Sequence, residues 1–201
     1  MTDWIDRQLR RRGIRDERVL SAMAQVPRED FVPPGARRRA HADAALAIGH
    51  GQTISQPYMV ALICEALELK GDENVLDVGT GSGYQAAVLS RLAARVTSIE
   101  RIAELAERAR ERLAPYGVDV VVGDGTLGVP ERAPFDAIAV AAAASAVPPA
   151  LKGQLSPRGR LVLPVDESLI RIRGGEVRYL SGARFVPLVS ASGDEGTSTP
   201  R

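Results

Sequence analysis

The sequence has few of the residues that build disulfides, metal sites and base-stacking surfaces. It contains one cysteine, Cys64, and two histidines, His41 and His50, so an internal disulfide is excluded and no cluster has zinc-type spacing. Aromatic residues make up 4% of the chain, which leaves few side chains on which nucleic-acid bases could stack. These absences predict a protein of a reducing compartment without a structural metal.

The charges of the chain nearly cancel, and no apolar segment is long. Basic residues number 26 and acidic residues 25, so no overall field favours nucleic acid or an anionic membrane. The arginines at 10–12 and 37–39 could form an RNA-binding surface, but we favour the commoner interpretation, solvated helix faces. Residues 1–12 lack the apolar core of a signal peptide, and no apolar run approaches the roughly 20 residues that span a bilayer. We therefore expect a cytoplasmic protein that binds neither nucleic acid nor membrane.

Hydrophobic spacing predicts helices near the start of the chain and then alternating strands and helices. The predicted early helices are residues 4–12, 16–25 and 58–69. The predicted strands are residues 75–78, 96–99, 118–122, 135–140, 160–165, 170–173, 177–180 and 185–189, and the intervening predicted helices are a segment ending at Ala93, residues 103–113 and residues 148–155. This alternation is typical of a parallel sheet in an α/β fold, and Gly174-Gly175 predicts a hairpin that ends the sheet with antiparallel strands.

A glycine-rich loop follows the first strand of this alternation. Its residues are Gly79, Thr80, Gly81, Ser82 and Gly83. Glycine suits a sharp turn at which a ligand touches the backbone, although any tight strand-to-helix turn can recruit glycines. Tyr84 stands where a dinucleotide fingerprint has its third glycine, which weakens the case for a nicotinamide or flavin dinucleotide.

Carboxylates at successive strand ends favour a nucleoside cofactor at the same edge of the sheet. Glu100, 21 positions after Gly79, can accept hydrogen bonds from both hydroxyls of a ribose, although a surface glutamate opening a helix is the alternative. Asp124, before Gly125, can accept from an adenine amino group, and an Asx turn is its alternative role. Asp77 must either bond to the glycine-loop backbone or face a ligand cation, because an isolated buried carboxylate is costly. S-adenosylmethionine offers such a cation, its ammonium group, and contains no pyrophosphate.

The segment 51–58, Gly-Gln-Thr-Ile-Ser-Gln-Pro-Tyr, is an uncharged loop shortly before the glycine loop. It predicts chemistry that needs positioning more than a strong base. Together with residues 26–32, 48–49, 75–83, 123–125, 133–138 and 185–189 it resembles the protein-L-isoaspartate O-methyltransferases, and the resemblance covers about residues 6–189. It implies a doubly wound, mostly parallel Rossmann-like sheet of the class I S-adenosylmethionine-dependent methyltransferases, with antiparallel C-terminal strands and an N-terminal helical addition.

The resemblance implies methyl transfer from S-adenosylmethionine to the carboxylate of L-isoaspartyl, and also D-aspartyl, residues of aged proteins and peptides, without a metal. S-adenosylhomocysteine is the expected product. The domain implied is residues 1–189, with N-terminal helices and the active-site loop in 1–57, the cofactor-binding core in 58–189, and a loose tail in 190–201. We expect a monomer. A methyltransferase dedicated to one biosynthetic peptide and a catalytically silent S-adenosylmethionine-binding module are the alternatives.

The family's site residues carry over onto matching positions of this chain. Ser55 is the implied catalytic residue, orienting the substrate carboxylate, although its place before Pro57 also suits helix capping. Thr53, Ile54 and Ser55 are implied to contact the cofactor, and Ser55, Gln56, Val186 and Leu188 the substrate. Pro187 suggests that its strand lies at an edge where a peptide could pair, although an ordinary edge strand blunted by proline is equally consistent. The family commonly has proline where Ala47 stands, and threonine or glycine where Ala141 stands.

Overall fold

The computed structural model describes residues 3–182 and 184–190. Its helices are α1 (Asp3–Gln8), α2 (Glu17–Gln25), α3 (Pro57–Ala66), α4 (Tyr84–Leu89), α5 (Ala103–Leu113) and α6 (Pro149–Gly153). Its strands are β1 (Leu46–Gly49), β2 (Gln52–Ile54), β3 (Asn74–Val78), β4 (Arg95–Glu100), β5 (Asp119–Val122), β6 (Phe135–Val140), β7 (Leu155–Val165), β8 (Ser168–Arg173) and β9 (Glu176–Gly182). The predicted tail lies outside the described residues except for Ser190.

The central sheet has the strand order β5-β4-β3-β6-β7-β8-β9. Strands β3 to β7 pair in parallel, whereas β8 and β9 are antiparallel. Gly174 and Gly175 form the hairpin turn with φ of 56° and 87°, as a two-residue turn of this kind requires. The predicted class I methyltransferase fold, a mainly parallel sheet ending in antiparallel strands, is confirmed. Such sheets bind ligands at the carboxyl ends of their strands.

The middle strands β3, β4 and β6 are buried on both faces of the sheet, whereas β5 and β9 are largely exposed. Successive side chains of a strand point to opposite faces. Along β6, Ala137 and Ala139 belong to one apolar cluster, with α2 to α5, whereas Ile138 and Val140 belong to a second cluster with α6. Helix α2 begins where the Asp16 carboxylate accepts hydrogen bonds from the backbone N–H groups of Arg18 and Val19. Burial on both faces explains why the strands read as nearly continuous apolar runs.

Several predicted boundaries were wrong. The predicted helix 4–12 breaks after Gln8 into a 3-10 turn that ends at Gly13, whose φ is 106°. The helix predicted to reach Leu69 ends at Ala66, since Glu68 adopts a left-handed φ of 49°. The helix predicted to reach Ala93 ends at Leu89, and β7 begins at Leu155, inside the predicted helix 148–155. These ends depend on the backbone conformation and hydrogen bonds of the folded chain, which the spacing of apolar residues does not indicate.

Two predictions about isolated segments were also wrong. The segment 51–58 is not entirely a loop, because β2 pairs antiparallel with β1 in a separate two-stranded sheet. Residues 185–189 do not form a strand, and Pro187 makes only an isolated bridge to Ala143. Proline has no N–H to donate, so the segment cannot extend a ladder of hydrogen bonds on both sides.

The arginines at 10–12 are tied to acidic neighbours rather than presented as a basic surface. Arg10 pairs with Glu17, Arg11 with Asp6 and Arg12 with Asp43. This pairing supports the interpretation as a solvated helix face. Within the described residues every helix is too short or too polar to cross a membrane.

Candidate active site

A cleft opens at the carboxyl ends of β3, β4 and β6. It is lined by 52–55 and Val60, the glycine-loop residues 79–82 with Val78, Tyr84 and Gln85, the end of β4 with residues 99–102, and Gly125, Ala141, Ala142 and 186–189. Segments far apart in sequence therefore meet at the edge where ligand binding was predicted.

The glycine loop is held open to the cleft by its backbone conformation. Gly79, Gly81 and Gly83 have φ of 92°, 52° and 93°, values that residues with a Cβ rarely adopt. The N–H groups of Gly79 and Thr80 both donate to the carbonyl of Ile99, at 2.9 and 3.2 Å, which fastens the loop to the end of β4. The loop thereby presents backbone, rather than side chains, to a ligand.

Glu100 lies inside the cleft and is 7% exposed, so the alternative of a surface glutamate is wrong. One carboxylate oxygen accepts from the N–H of Gly81 at 2.9 Å, and the other accepts from the N–H of Ile102 at 3.0 Å. A carboxylate can accept about four hydrogen bonds. Capacity for two more donors, such as a pair of ribose hydroxyls, therefore remains.

Asp77 is fully buried behind the cleft and does not line it. Its carboxylate accepts from the side-chain amide of Gln85 at 2.8 Å and from the hydroxyl of Ser98 at 2.7 Å. Within the described residues the glycine-loop backbone donates no hydrogen bond to this carboxylate, so the first of its two predicted roles is excluded and the second, facing a cation of the ligand, stays a prediction. Burial raises the pKa of Asp77 to about 6, although both hydrogen bonds work against this rise and the charge of Glu100 adds to it.

Asp124 forms the Asx turn that the sequence left open. One of its oxygens accepts from the N–H and the hydroxyl of Thr126 at 2.8 and 2.7 Å, and the other accepts from the hydroxyl of Ser190 at 3.0 Å. Asp124 does not line the cleft, whereas the next residue, Gly125, does. A Cβ at Gly125 would lie 2.7 Å from a methyl carbon of Val78, so only glycine fits there. The contact of Asp124 with adenine stays a prediction.

Ser55 lies on the border between the cleft and a second groove of about 590 Å³. The groove is lined by Ala45, Thr53, Ser55, Gln56, Met59, Ala141, Arg184, Phe185 and Val186. Helix α3 is preceded by Gln56 and has no side-chain cap, so the capping alternative for Ser55 is not supported. Within residues 3–182 and 184–190 the Ser55 hydroxyl makes no hydrogen bond. It is therefore available to a ligand on either side.

The other residues of the uncharged segment divide between the two spaces. Thr53 lines both the cleft and the groove, Ile54 lines the cleft, and Gln56 lines the groove. His50 lies in the turn between β1 and β2 with φ of 54° and lines neither space. Ala47 also lines neither space, whereas Ala141 lines both.

The segment around Pro187 closes the opposite wall of the cleft. The carbonyl of Val186 accepts from the N–H of Ala143 at 2.8 Å, and the N–H of Leu188 donates to the carbonyl of Ala143 at 2.7 Å. In an extended segment the groups of the intervening residue point the other way, so Pro187 presents only a carbonyl to the outer side. Side chains of Val186 and Leu188 remain part of the cleft wall.

The sequence analysis missed Gln85, which lines the cleft and is 7% exposed. The available signal was a lone polar residue among the apolar residues of α4, which are Tyr84, Ala86, Ala87, Val88 and Leu89. No group of three or more His, Cys, Asp or Glu in the described chain is arranged to hold a metal ion.

The chain is similar in sequence to the members of one known protein family. Residues 3–193 match the family described as "Protein-L-isoaspartate(D-aspartate) O-methyltransferase (PCMT)". The chain is 50% identical to a protein-L-isoaspartate O-methyltransferase of Methanoculleus marisnigri, covering 98% of this chain and 95% of the relative. It is 56% identical to protein-L-isoaspartate O-methyltransferase 2 of Pelobacter propionicus, covering 94% and 90%.

Two solved structures are also similar over most of the chain. A protein-L-isoaspartate O-methyltransferase superposes with a TM-score of 0.84 at 29% identity, covering 96% of this chain and 68% of that one. A Plasmodium falciparum structure, described as a protein-L-isoaspartate O-methyltransferase in complex with S-adenosyl-L-homocysteine, has a TM-score of 0.79 at 28% identity, covering 92% and 96%.

Proposed function

The chain belongs to the protein-L-isoaspartate(D-aspartate) O-methyltransferase family, and we propose that its cleft transfers a methyl group from S-adenosylmethionine to the free carboxylate of isoaspartyl residues in aged proteins. The observation that carries the proposal is the position of Ser55. Its unpartnered hydroxyl stands between a cleft suited to a nucleoside and a groove suited to a peptide. The same site is proposed to act on D-aspartyl residues.

The residues of the cleft fit S-adenosylmethionine, which when bound supplies an electrophilic methyl group on its sulfonium. Glu100 retains acceptor capacity for the ribose hydroxyls, and the loop of Gly79, Thr80, Gly81, Ser82 and Gly83 offers backbone at close range. Gly125 leaves space beside Val78 that any larger residue would fill. Thr53, Ile54 and Ser55 cover the cleft from the β2 side. No residue with a metal-binding arrangement is required.

The substrate carboxylate needs alignment rather than activation, because its ordinary pKa of about 4 leaves it ionised at neutral pH. The carboxylate oxygen forms a bond to the methyl carbon while the carbon–sulfur bond breaks, and its electron pair stays on sulfur in S-adenosylhomocysteine. Ser55 donates a hydrogen bond to one oxygen and holds the other in line. Among the described residues that line the groove, Arg184 is the one charged residue and none is acidic, so none would repel the substrate. Gln56, Val186 and Leu188 complete the proposed peptide contacts.

Methylation serves repair because the methoxy group of the ester leaves more readily than the oxygen of the free acid. The neighbouring amide nitrogen displaces the methoxy group and closes a succinimide, whose hydrolysis can produce normal aspartate. This second stage needs no enzyme. We further propose that the protein is a monomer and that it acts in the cytoplasm, on proteins that accumulate isoaspartate as they age. The nearly neutral charge of the chain and its buried cysteine are compatible with both proposals.

Paired peptides test the function directly. Methyl transfer from S-adenosylmethionine would be measured on one short peptide that contains L-isoaspartate, D-aspartate or L-aspartate at the same position. We expect the isoaspartyl peptide to be methylated efficiently, the D-aspartyl peptide more slowly and the L-aspartyl peptide not at all. Equal methylation of the L-isoaspartyl and L-aspartyl peptides would refute the proposal. Sizing by light scattering tests the monomer.

A further inference from the structure

Gln85 is a polar side chain that the proposed mechanism does not yet use. It lies in the first turn of α4, is 7% exposed and lines the cleft. Its side-chain nitrogen donates to Asp77 at 2.8 Å. Its side-chain oxygen, Oε1, is buried and has no hydrogen-bond partner among the described residues. A buried acceptor left unpaired costs about 1 to 3 kcal/mol, so such an atom in a cleft indicates a ligand donor.

Asp77 determines which end of the Gln85 amide is available. The second oxygen of Asp77 accepts from the hydroxyl of Ser98 at 2.7 Å, and Ser98 in turn lies 2.6 Å from the hydroxyl of Thr80 beneath the glycine loop. An ionised carboxylate accepts hydrogen bonds and donates none. The amide of Gln85 must therefore present its N–H to Asp77, and its oxygen is the polar atom left for the cleft.

We propose that Oε1 of Gln85 accepts a hydrogen bond from the ammonium group of the methionine part of the cofactor. This inference rests on the proposed function, because it presumes S-adenosylmethionine as the ligand. An ammonium has three donors and no acceptor, so it complements an unpaired oxygen. The cofactor's own carboxylate has only acceptors and would be repelled by the same atom. The ribose hydroxyls have Glu100, at the end of β4, as their proposed partner.

The binding of two ligands shows whether Gln85 contacts the ammonium group or the nucleoside part of the cofactor. S-adenosylhomocysteine carries the ammonium, whereas 5′-methylthioadenosine has the same nucleoside without the amino-acid part. Calorimetry at pH 8 would measure both dissociation constants for wild type and Gln85→Met. We expect the affinity for S-adenosylhomocysteine to fall about tenfold to a hundredfold, as for the loss of a hydrogen bond to a charged group. The affinity for 5′-methylthioadenosine stays within about twofold, because the variant leaves the nucleoside contacts intact.

Two further variants distinguish recognition from a merely structural role. Gln85→Glu keeps an oxygen acceptor, and at pH 6 its carboxyl group can share a proton with Asp77. We expect this variant to regain the preference for S-adenosylhomocysteine over 5′-methylthioadenosine that Gln85→Met loses. Ser98→Ala removes the other hydrogen bond of Asp77, so it costs stability but leaves the ratio of the two affinities unchanged.

Three outcomes overturn the inference. Parallel loss of both ligands in Gln85→Met would assign Gln85 to the ribose or to packing, and an equal change of the affinity ratio in Ser98→Ala would assign the effect to Asp77. Unchanged affinities for both ligands in Gln85→Met would remove Gln85 from cofactor recognition. The failure of the proposed function is distinct from these, since it would appear as absent binding of S-adenosylhomocysteine by wild type or as absent selectivity for isoaspartyl peptides.

Discussion

Glu100 and Gly81 are joined by a hydrogen bond of 2.9 Å from the backbone N–H of the glycine to the carboxylate of the glutamate. This bond fastens the middle of the glycine loop to the end of the neighbouring strand. The second oxygen of Glu100 accepts from the N–H of Ile102, just before α5. The Glu100 side chain therefore joins the glycine loop to the start of α5. Its remaining acceptor capacity is left for a ligand in the cleft.

Replacing Glu100 by glutamine should weaken cofactor binding. The amide keeps one acceptor oxygen but turns an NH₂ group toward one of two backbone donors, and it loses the charge that strengthens hydrogen bonds to ribose hydroxyls. We expect the affinity for S-adenosylhomocysteine, measured by calorimetry, to fall about tenfold or more. Glu104→Gln, on the exposed first turn of α5, is the matched control and should bind normally. Normal binding by Glu100→Gln would contradict the role assigned to this residue.

Ser55→Ala should lower turnover without weakening cofactor binding. The lost hydrogen bond orients a charged substrate oxygen, so we expect kcat with an isoaspartyl peptide to fall about tenfold to a hundredfold. Affinity for S-adenosylhomocysteine and the melting temperature should change little, since α3 has no side-chain cap to lose. Ser181→Ala, in β9 and outside the linings of both the cleft and the groove, serves as the control. Unchanged turnover in Ser55→Ala would remove this residue from catalysis.

Gly125→Ala should destabilise the fold and damage the cleft together. The new Cβ would lie 2.7 Å from a methyl carbon of Val78 and 3.6 Å from one of Leu188, so β3 or the Pro187 segment must move. Overpacking of this kind costs about 1 to 3 kcal/mol in the free energy of unfolding. Denaturant unfolding and calorimetry would measure both effects. Gly153→Ala meets no atom within 4 Å and is the control; equal behaviour of the two variants would disprove the steric argument.

Asp77→Asn should change how stability depends on pH. The pKa of Asp77 is about 6 in the folded protein, above its ordinary value of about 4, so the folded state binds more protons than the unfolded state between these values. Wild-type stability should therefore fall as pH rises through this window and stay low above it. Asparagine, which has no charge to bury, escapes this loss. Relative to wild type, its free energy of unfolding should rise by up to about 3 kcal/mol between pH 4 and pH 7.

Denaturant unfolding at several pH values would measure this difference. Asp72→Asn, at an exposed carboxyl group, is the control for removing one negative charge from the chain. A constant difference between Asp77→Asn and wild type across this range would show that burial of Asp77 does not penalise its charge.

Much of the fold followed from local patterns. Helix α5 and strand β6 have the predicted bounds, and the Gly174-Gly175 hairpin forms where two glycines allow positive φ. Errors fell where distant partners decide the structure. Strand β2 exists because β1 pairs with it, and within the described part of the chain the backbone hydrogen bonds of residues 185–189 go to Ala143. Neither partnership leaves a periodic signal in the chain.

The candidate site also contains some residues that local patterns predict and others that they do not. The presence of Gly79, Gly81 and Glu100 in the cleft could be predicted, since a tight turn after a strand and an acid at the next strand end are local features, whereas Gly83, predicted with them, does not line the cleft. Gln85 stands out in the sequence only as the lone polar residue of α4, and this pattern does not indicate a role. Its importance depends on Asp77 accepting from its nitrogen and on its oxygen being left without a partner, and both depend on the folded structure.

The sequence by itself determined the alternation of strands and helices, the backbone freedom of the glycine loop and the family to which the chain belongs. Each depends on residue type, spacing and order, which are complete before folding. Only the tertiary structure decided that Ser55 borders both spaces, that Asp77 lies behind the cleft and that Gln85 keeps an unpaired oxygen beside it. Burial and hydrogen-bond partnership are properties of neighbours in space, and residues distant in sequence supply those neighbours.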